Sequence, residues 1–214
     1  MLKQHNQVLP TDALLVIDVQ NDFCPGGKLA VAGGDEVVPV IQKIAPLFEH
    51  VLLTQDWHPA AHQSFASSHE GKHPFEQIDL SYGPQTLWPD HCVQGSSGAE
   101  FHPGLKLPQA ELILRKGFRR EIDSYSAFFE NDRTTATGLA SYLKERGIKR
   151  VFLAGLAYDY CVGFSALDAR RLGLPAVILR DATRAIDLNG SVARMEAEFA
   201  TTGVEVIDSR ELAA

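Results

Sequence analysis

The sequence predicts an α/β fold, a doubly wound, mainly parallel six-stranded sheet with helices on both faces, carried as a single domain across residues 1–214. Three observations predict it. Short unbroken apolar runs, of the kind a parallel strand buried on both faces requires, recur along the chain. Stretches with apolar residues at helical spacing lie between them. Glycines stand just past several of those stretches, where a helix ends on a left-handed residue.

Ala13-Leu14-Leu15-Val16-Ile17 is the first strand. Asp35 to Phe48 sets Val37, Val40, Ile41, Ile44 and Phe48 at helical spacing and leads into the second strand, Val51-Leu52-Leu53. Residues 57–108 are rich in His, Ser, Gly and Pro and show no sustained period. A loop that long inside a compact domain is usually functional. Leu112-Ile113-Leu114 is the third strand, Thr134 to Arg146 a helix closed by Gly147, and Val151-Phe152-Leu153-Ala154 the fourth strand. A helix from Cys161 to Leu172 with Gly173 beyond it leads to Ala176-Val177-Ile178-Leu179. A helix from Ser191 to Thr202 with Gly203 leads to Val204-Glu205-Val206-Ile207. Strands alternating with helices imply crossovers that place helices on one face or the other.

Composition narrows the function. A formal net charge of -7 leaves no basic footprint for a nucleic-acid backbone, and no Lys/Arg cluster suits an anionic membrane. Small-molecule chemistry is favoured, in a monomer or a homo-oligomer. No apolar run approaches the roughly 20 residues that span a bilayer. The opening Met1-Leu2-Lys3-Gln4-His5-Asn6 lacks the pattern of a secretory signal, so a cytoplasmic location is expected. Three cysteines, Cys24, Cys92 and Cys161, cannot all pair internally, and reduced thiols are expected. The usual glycine-rich phosphate cradles are absent from the sequence.

In open α/β sheets the ligand crevice lies outside the carboxyl ends of the strands. Four strand ends carry reactive chemistry: Asp18 after the first, Asp56 and His58 after the second, Lys116 after the third, Asp159 and Cys161 after the fourth. Each alone has a plain structural explanation, but their coincidence along one sheet edge points to a site. A free cysteine has a pKa of roughly 8.5 and needs help to become a nucleophile. Cys161 near the first turn of a helix, with Lys116 close by, gains anion stabilisation. Asp18 can accept the thiol proton and later give it to a leaving amine. Asp56 and His58, two apart, share a face in an extended segment and can jointly hold a cation.

Local motifs sharpen this reading. Asp18-Val19-Gln20-Asn21-Asp22-Phe23, Gln55-Asp56-Trp57-His58-Pro59, Trp88-Pro89-Asp90-His91-Cys92-Val93, Arg115-Lys116-Gly117 and Gly155-Leu156-Ala157-Tyr158-Asp159-Tyr160-Cys161-Val162 follow one another at the strand ends. With them the chain resembles the isochorismatase-like cysteine hydrolases, nicotinamidases in particular, over roughly residues 12 to 208. The resemblance implies an isochorismatase-like, Rossmann-like sheet with the triad Asp18, Lys116 and Cys161. It also implies a cis peptide between Leu156 and Ala157, with the backbone amides of Ala157 and Cys161 as an oxyanion hole. Asp56, His58 and His91 become ligands of one divalent metal ion, and their carboxylate and imidazole groups suit zinc, iron or manganese. Some nicotinamidases place a further histidine where this chain has Ser64, which leaves Ser64 to touch a metal-bound water. His62 is near enough to substitute for that histidine, though the favoured reading for it, as for His69, His73 and His102, is a loop histidine at the surface. Phe23, Trp88, Tyr125 and Leu156 are expected to line a pyridine pocket, and Cys24 and Cys92 to be bystanders.

The expected activity is hydrolysis of nicotinamide to nicotinate and ammonia through a thioester, in NAD salvage, with pyrazinamide as a further substrate. The rival readings are a related amidohydrolase acting on a carbamoyl or ureido substrate, and a non-catalytic small-molecule binding protein on the same scaffold.

Overall fold

The computed structural model describes residues 6–213, so the amino-terminal stretch read above for a targeting signal lies almost wholly outside the described residues. Its centre is a six-stranded, all-parallel sheet in the order β5-β2-β1-β6-β7-β8. The strands are β1 (Asp12–Ile17), β2 (His50–Asp56), β5 (Leu112–Lys116), β6 (Arg150–Leu156), β7 (Ala176–Arg184) and β8 (Glu205–Ile207). Each of the six predicted apolar runs is a strand, most of them longer than the run itself, because polar end residues such as Asp12 and Lys116 also join the ladder.

Side-chain alternation along the buried strands divides the interior into two cores. Leu14, Val16, Val51, Leu53, Phe152 and Ala154 face one side, where α1 (Val37–Ile44) buries Val37, Val38, Ile41 and Ile44 against them. Ala13, Leu15, Ile17, Leu52, Val151 and Leu153 face the other side, covered by α2 (Leu139–Glu145), α3 (Gly163–Arg171) and α4 (Ser191–Thr202). Helices therefore lie on both faces, and none of the described ones is long and apolar enough to cross a membrane.

Three predicted helices are shorter than expected. The stretch from Asp35 to Phe48 keeps α-geometry only over α1, because Pro46 has no N–H to continue the ladder; a single 3₁₀ turn follows. The helix expected from Thr134 begins only at Leu139. Asp132 instead accepts hydrogen bonds from the backbone of Thr134 and Thr135 at 2.9 Å each, and Gly138 breaks the backbone with φ 100. The helix expected from Cys161 is regular from Gly163, after a wider turn over Tyr158–Val162. The long 57–108 segment is not wholly irregular, since it holds an antiparallel hairpin of β3 (Gln77–Leu80) and β4 (Gly83–Thr86).

β1 leads to β2 on one side, whereas β6 pairs with the other side of β1, so the strand order reverses between β1 and β6. A crevice opens at that switch point, at the carboxyl ends of the strands. Gly155 lets β6 approach β1 there, as a Cβ on it would run into the carbonyl oxygen of Ile17.

Candidate active site

The register of four neighbouring strands assembles the site. Asp56 ends β2 directly opposite Lys116, the last residue of β5. Ile17 pairs with Gly155, which brings Asp18 beside the Leu156-Ala157 turn that leads to Cys161. The Leu156-Ala157 peptide is cis. Asp18, Asp56, Lys116 and Cys161 are all buried.

Lys116 is the hub. Its Nζ donates to Asp56 Oδ1 at 2.7 Å, to the carbonyl of Ser124 at 2.8 Å and to Cys161 Sγ at 3.4 Å. It also forms an ion pair with Asp18 Oδ2 at 2.8 Å. Apart from this ion pair, Oδ2 has no hydrogen-bond donor among the described residues. Asp18 Oδ1 accepts from Thr54 Oγ1 at 2.6 Å. Oδ2 therefore keeps a lone pair free in a site shared with Cys161, and acceptor atoms of Asp18, Asp56 and Cys161 fall within 4.8 Å of one another.

The charges follow from this packing. Burial raises the Asp18 carboxyl above its ordinary range despite the opposing Lys116 ammonium. Burial also pushes at Asp56, but Lys116 and His58 overcome it and hold that carboxyl well below its range. Lys116 stays firmly protonated because Asp18 and Asp56 outweigh its desolvation. For Cys161, burial dominates and the two carboxylates add to it, so the thiol lies well above its ordinary value even beside Lys116.

Beside this cluster lies a second. The Nε2 atoms of His58 and His91 face Asp56 Oδ2 at 3.3 and 3.7 Å. His58 Nδ1 is 2.9 Å from the Gly117 carbonyl and His91 Nδ1 is 2.8 Å from that of Pro89. Nδ1 of each ring donates to its carbonyl, which turns both Nε2 atoms towards the carboxylate, a usual arrangement behind metal-binding histidines. Asp56, His58 and His91 thus offer three converging donors to a cation.

His62 departs from its expected place at the surface. It is fully buried, with its ring centroid 4.4 Å from that of His58. Its Nε2 meets the Arg119 carbonyl at 2.9 Å, and its Nδ1 accepts from the Ser64 backbone amide at 3.2 Å and faces Ser64 Oγ at 2.7 Å. Both nitrogens have hydrogen-bond partners, and His62 also forms a buried group with His58 and Asp123 whose ligand atoms lie within 4.8 Å of one another. Ser64 is buried against this imidazole.

A narrow pocket ends at Cys161 and Ala157, with Phe23, Trp88 and Tyr125 in its walls. Leu156 is not among its lining residues; it lies in the core beneath, where its Cδ1 packs towards Gly34. Leu29, Asp123, Tyr160 and Ile186 line it without having been singled out beforehand. Tyr160 precedes the cysteine by one residue, and that proximity was the available signal; the other three come from irregular segments that carry no period. Asp159 accepts from the amides of Ile186 and Asp187, at 3.0 and 2.8 Å, and from the Ser191 hydroxyl, and so anchors the loop that carries Ile186. Cys92 has φ 46 and donates its backbone N–H to Asp22 Oδ2 at 2.7 Å, while Cys24 is buried in the core.

The isochorismatase domain model matches residues 12–211. A curated nicotinamidase of Acinetobacter baylyi is 56% identical over 200 residues, covering 94% of each chain. A solved nicotinamidase pyrazinamidase of Acinetobacter baumanii superposes with a TM-score of 0.95 at 53% identity, over 99% of this chain and 100% of that one. The pyrazinamidase of Pyrococcus horikoshii, solved in complex with zinc, is 33% identical with a TM-score of 0.73, over 93% of this chain and 99% of that one.

Proposed function

The chain belongs to the isochorismatase family, and on that premise we propose that it is a cytoplasmic nicotinamidase. As a single domain it hydrolyses nicotinamide to nicotinate and ammonia through a cysteine thioester, accepts pyrazinamide as well, and serves NAD salvage. One observation carries the chemistry: Lys116 Nζ touches Asp18, Asp56 and Cys161 together.

The resting nucleophile is a thiol. As Sγ attacks the carboxamide carbon, its proton passes to Asp18 Oδ2, the acceptor with an open lone pair and raised basicity. Lys116 stays protonated and offsets the charge that develops beside it. The backbone amides of Ala157 and Cys161, both at the pocket end, receive the carbonyl oxygen. Asp18 returns the proton to the leaving nitrogen, the C–N bond breaks and ammonia departs. Asp18 then deprotonates a water that attacks the thioester; the C–S bond breaks, nicotinate leaves and the proton returns to Sγ.

The donor set of Asp56, His58 and His91 fits a divalent transition metal, and the zinc in the Pyrococcus horikoshii relative supports zinc among the candidates. When bound, such an ion supplies a coordination position for a pyridine nitrogen. The protein's own contribution is to orient the ring between Phe23, Trp88 and Tyr125 so that the carboxamide reaches Cys161.

Ammonia release from nicotinamide, with and without chelator, tests the reading. Turnover that falls on chelation and returns with zinc is expected. Full metal-free activity on a ureido substrate, with none on nicotinamide, favours the rival amidohydrolase.

A further inference from the structure

The β3-β4 hairpin lies mostly at the surface, yet Gln85 on it is fully buried. A primary amide buried without partners is costly. Here every capacity of the amide is used. The two Nε2 protons are shared among three acceptors, Asp123 Oδ2 at 2.8 Å, the Thr86 carbonyl at 2.7 Å and the Tyr125 hydroxyl at 3.0 Å. Oε1 accepts from the Tyr82 hydroxyl at 3.0 Å and from Asn131 Nδ2 at 3.2 Å. Asn131 in turn accepts from the Tyr125 backbone amide at 3.0 Å. One side chain therefore ties the hairpin to the segments around residues 123–125 and 131.

Two of its partners, Asp123 and Tyr125, line the pocket that ends at Cys161; Gln85 itself does not. The Tyr125 hydroxyl also accepts from Trp88 Nε1 at 3.2 Å. The Tyr125 ring stands edge-on to Trp88 and to Tyr160, at centroid separations of 6.2 and 5.5 Å. Where Tyr125 sits thus decides how this aromatic wall closes. We infer that Gln85 is a positioning residue for substrate: its amide fixes the Tyr125 hydroxyl and the Asp123 carboxylate, and through them the wall that holds the ring of the substrate. The inference rests on the amidase reading of the same site. An apolar residue of equal volume fills the space but leaves Asp123, Tyr82 and Asn131 short of partners, so the wall loses its registration while Cys161, Asp18 and Lys116 keep theirs.

Gln85→Met tests this in the metal-loaded protein with nicotinamide. A KM raised about tenfold with kcat within about twofold is expected, as a lost buried hydrogen-bond network weakens ring placement rather than bond breaking. The ¹⁵N–¹H indole resonance of Trp88, assigned with Trp88→Phe, reports on the Tyr125 hydroxyl without any substrate, and it shifts in Gln85→Met. Gln85→Glu is the second variant: its carboxyl donates to Asp123 only when protonated, so its KM and indole resonance approach those of the wild type as pH falls. An unchanged KM together with an unchanged indole resonance overturns the inference. So does a loss of kcat in parallel with thermal stability at constant KM, which marks a merely structural amide. If the wild type releases no ammonia from nicotinamide, the functional reading fails and the indole resonance alone decides the role of Gln85; if Gln85→Met does not fold, Gln85→Glu decides it.

Discussion

Lys116 and Asp56 end adjacent parallel strands in register, and their side chains meet with Nζ 2.7 Å from Oδ1. The other oxygen of the same carboxylate faces the Nε2 atoms of His58 and His91. One buried carboxylate therefore serves both the cation beside the nucleophile and the imidazole pair, so the two halves of the site are a single electrostatic unit.

Lys116→Met removes the cation between two buried carboxylates. Breaking a buried pair from one side costs about 3–5 kcal/mol, so the variant unfolds at lower denaturant near neutral pH. The folded-state pKa of Lys116 is raised. Its stabilisation is therefore complete below the ordinary lysine value of about 10.4 and is lost only as pH rises through the folded value. In the variant Asp18 and Asp56 lose the cation that lowers their pKa values, so urea melts of variant and wild type between pH 6 and 9 check for a gap that widens as pH rises.

Gly117→Ala perturbs the metal-type cluster without touching a donor. Gly117 has φ 65, and a Cβ there comes within 2.5 Å of His58 Cε1 and 2.7 Å of His58 Nδ1. Displacing His58 from its carbonyl partner should weaken zinc affinity about 10–100-fold. Competition against a chelating dye measures it, with His69→Ala as the control that leaves affinity unchanged.

Thr54→Val shifts the pH profile. The proton acceptor must be ionised, so kcat/KM is lost as pH falls through the raised pKa of Asp18, above the ordinary carboxylate value of about 3.9. The Thr54 hydroxyl bond to Oδ1 works against that rise. Its removal moves the acid limb to higher pH, which the pH dependence of ammonia release shows directly.

Much of this site was legible in the sequence because it sits at strand ends. An apolar run fixes where a buried parallel strand stops, and Asp18, Asp56, Lys116 and Cys161 follow such runs. Pocket walls were less legible. Asp123 and Ile186 lie in irregular segments placed by side-chain bonds, such as those of Gln85 and Asp159, that link residues far apart in the chain. The surface reading of His62 failed for a similar reason: its burial comes with tertiary contacts to the Arg119 and Ile122 carbonyls, not from any local period. Leu156 shows the limit of carrying a position over as a pocket residue, since its neighbour Ala157 faces the pocket while its own side chain lies in the core.

Glu130→Gln should stabilise the protein at alkaline pH. Burial, only partly offset by Arg119, raises this carboxyl to about 7, and Oε2 has no hydrogen-bond partner among the described residues. A carboxyl with a raised folded pKa contributes stability below its ordinary value of about 4.3 and loses it as pH rises through the folded one. The melting temperature of the variant should exceed that of the wild type by roughly a few degrees at pH 8 and match it more closely at pH 5.

The role of Cys161 as nucleophile is tested most directly by Cys161→Ala, assayed for ammonia release from nicotinamide at matched zinc content. The expected result is a loss of at least about a thousandfold in kcat, with the melting temperature and bound zinc retained. Turnover near the wild-type rate in that variant contradicts it.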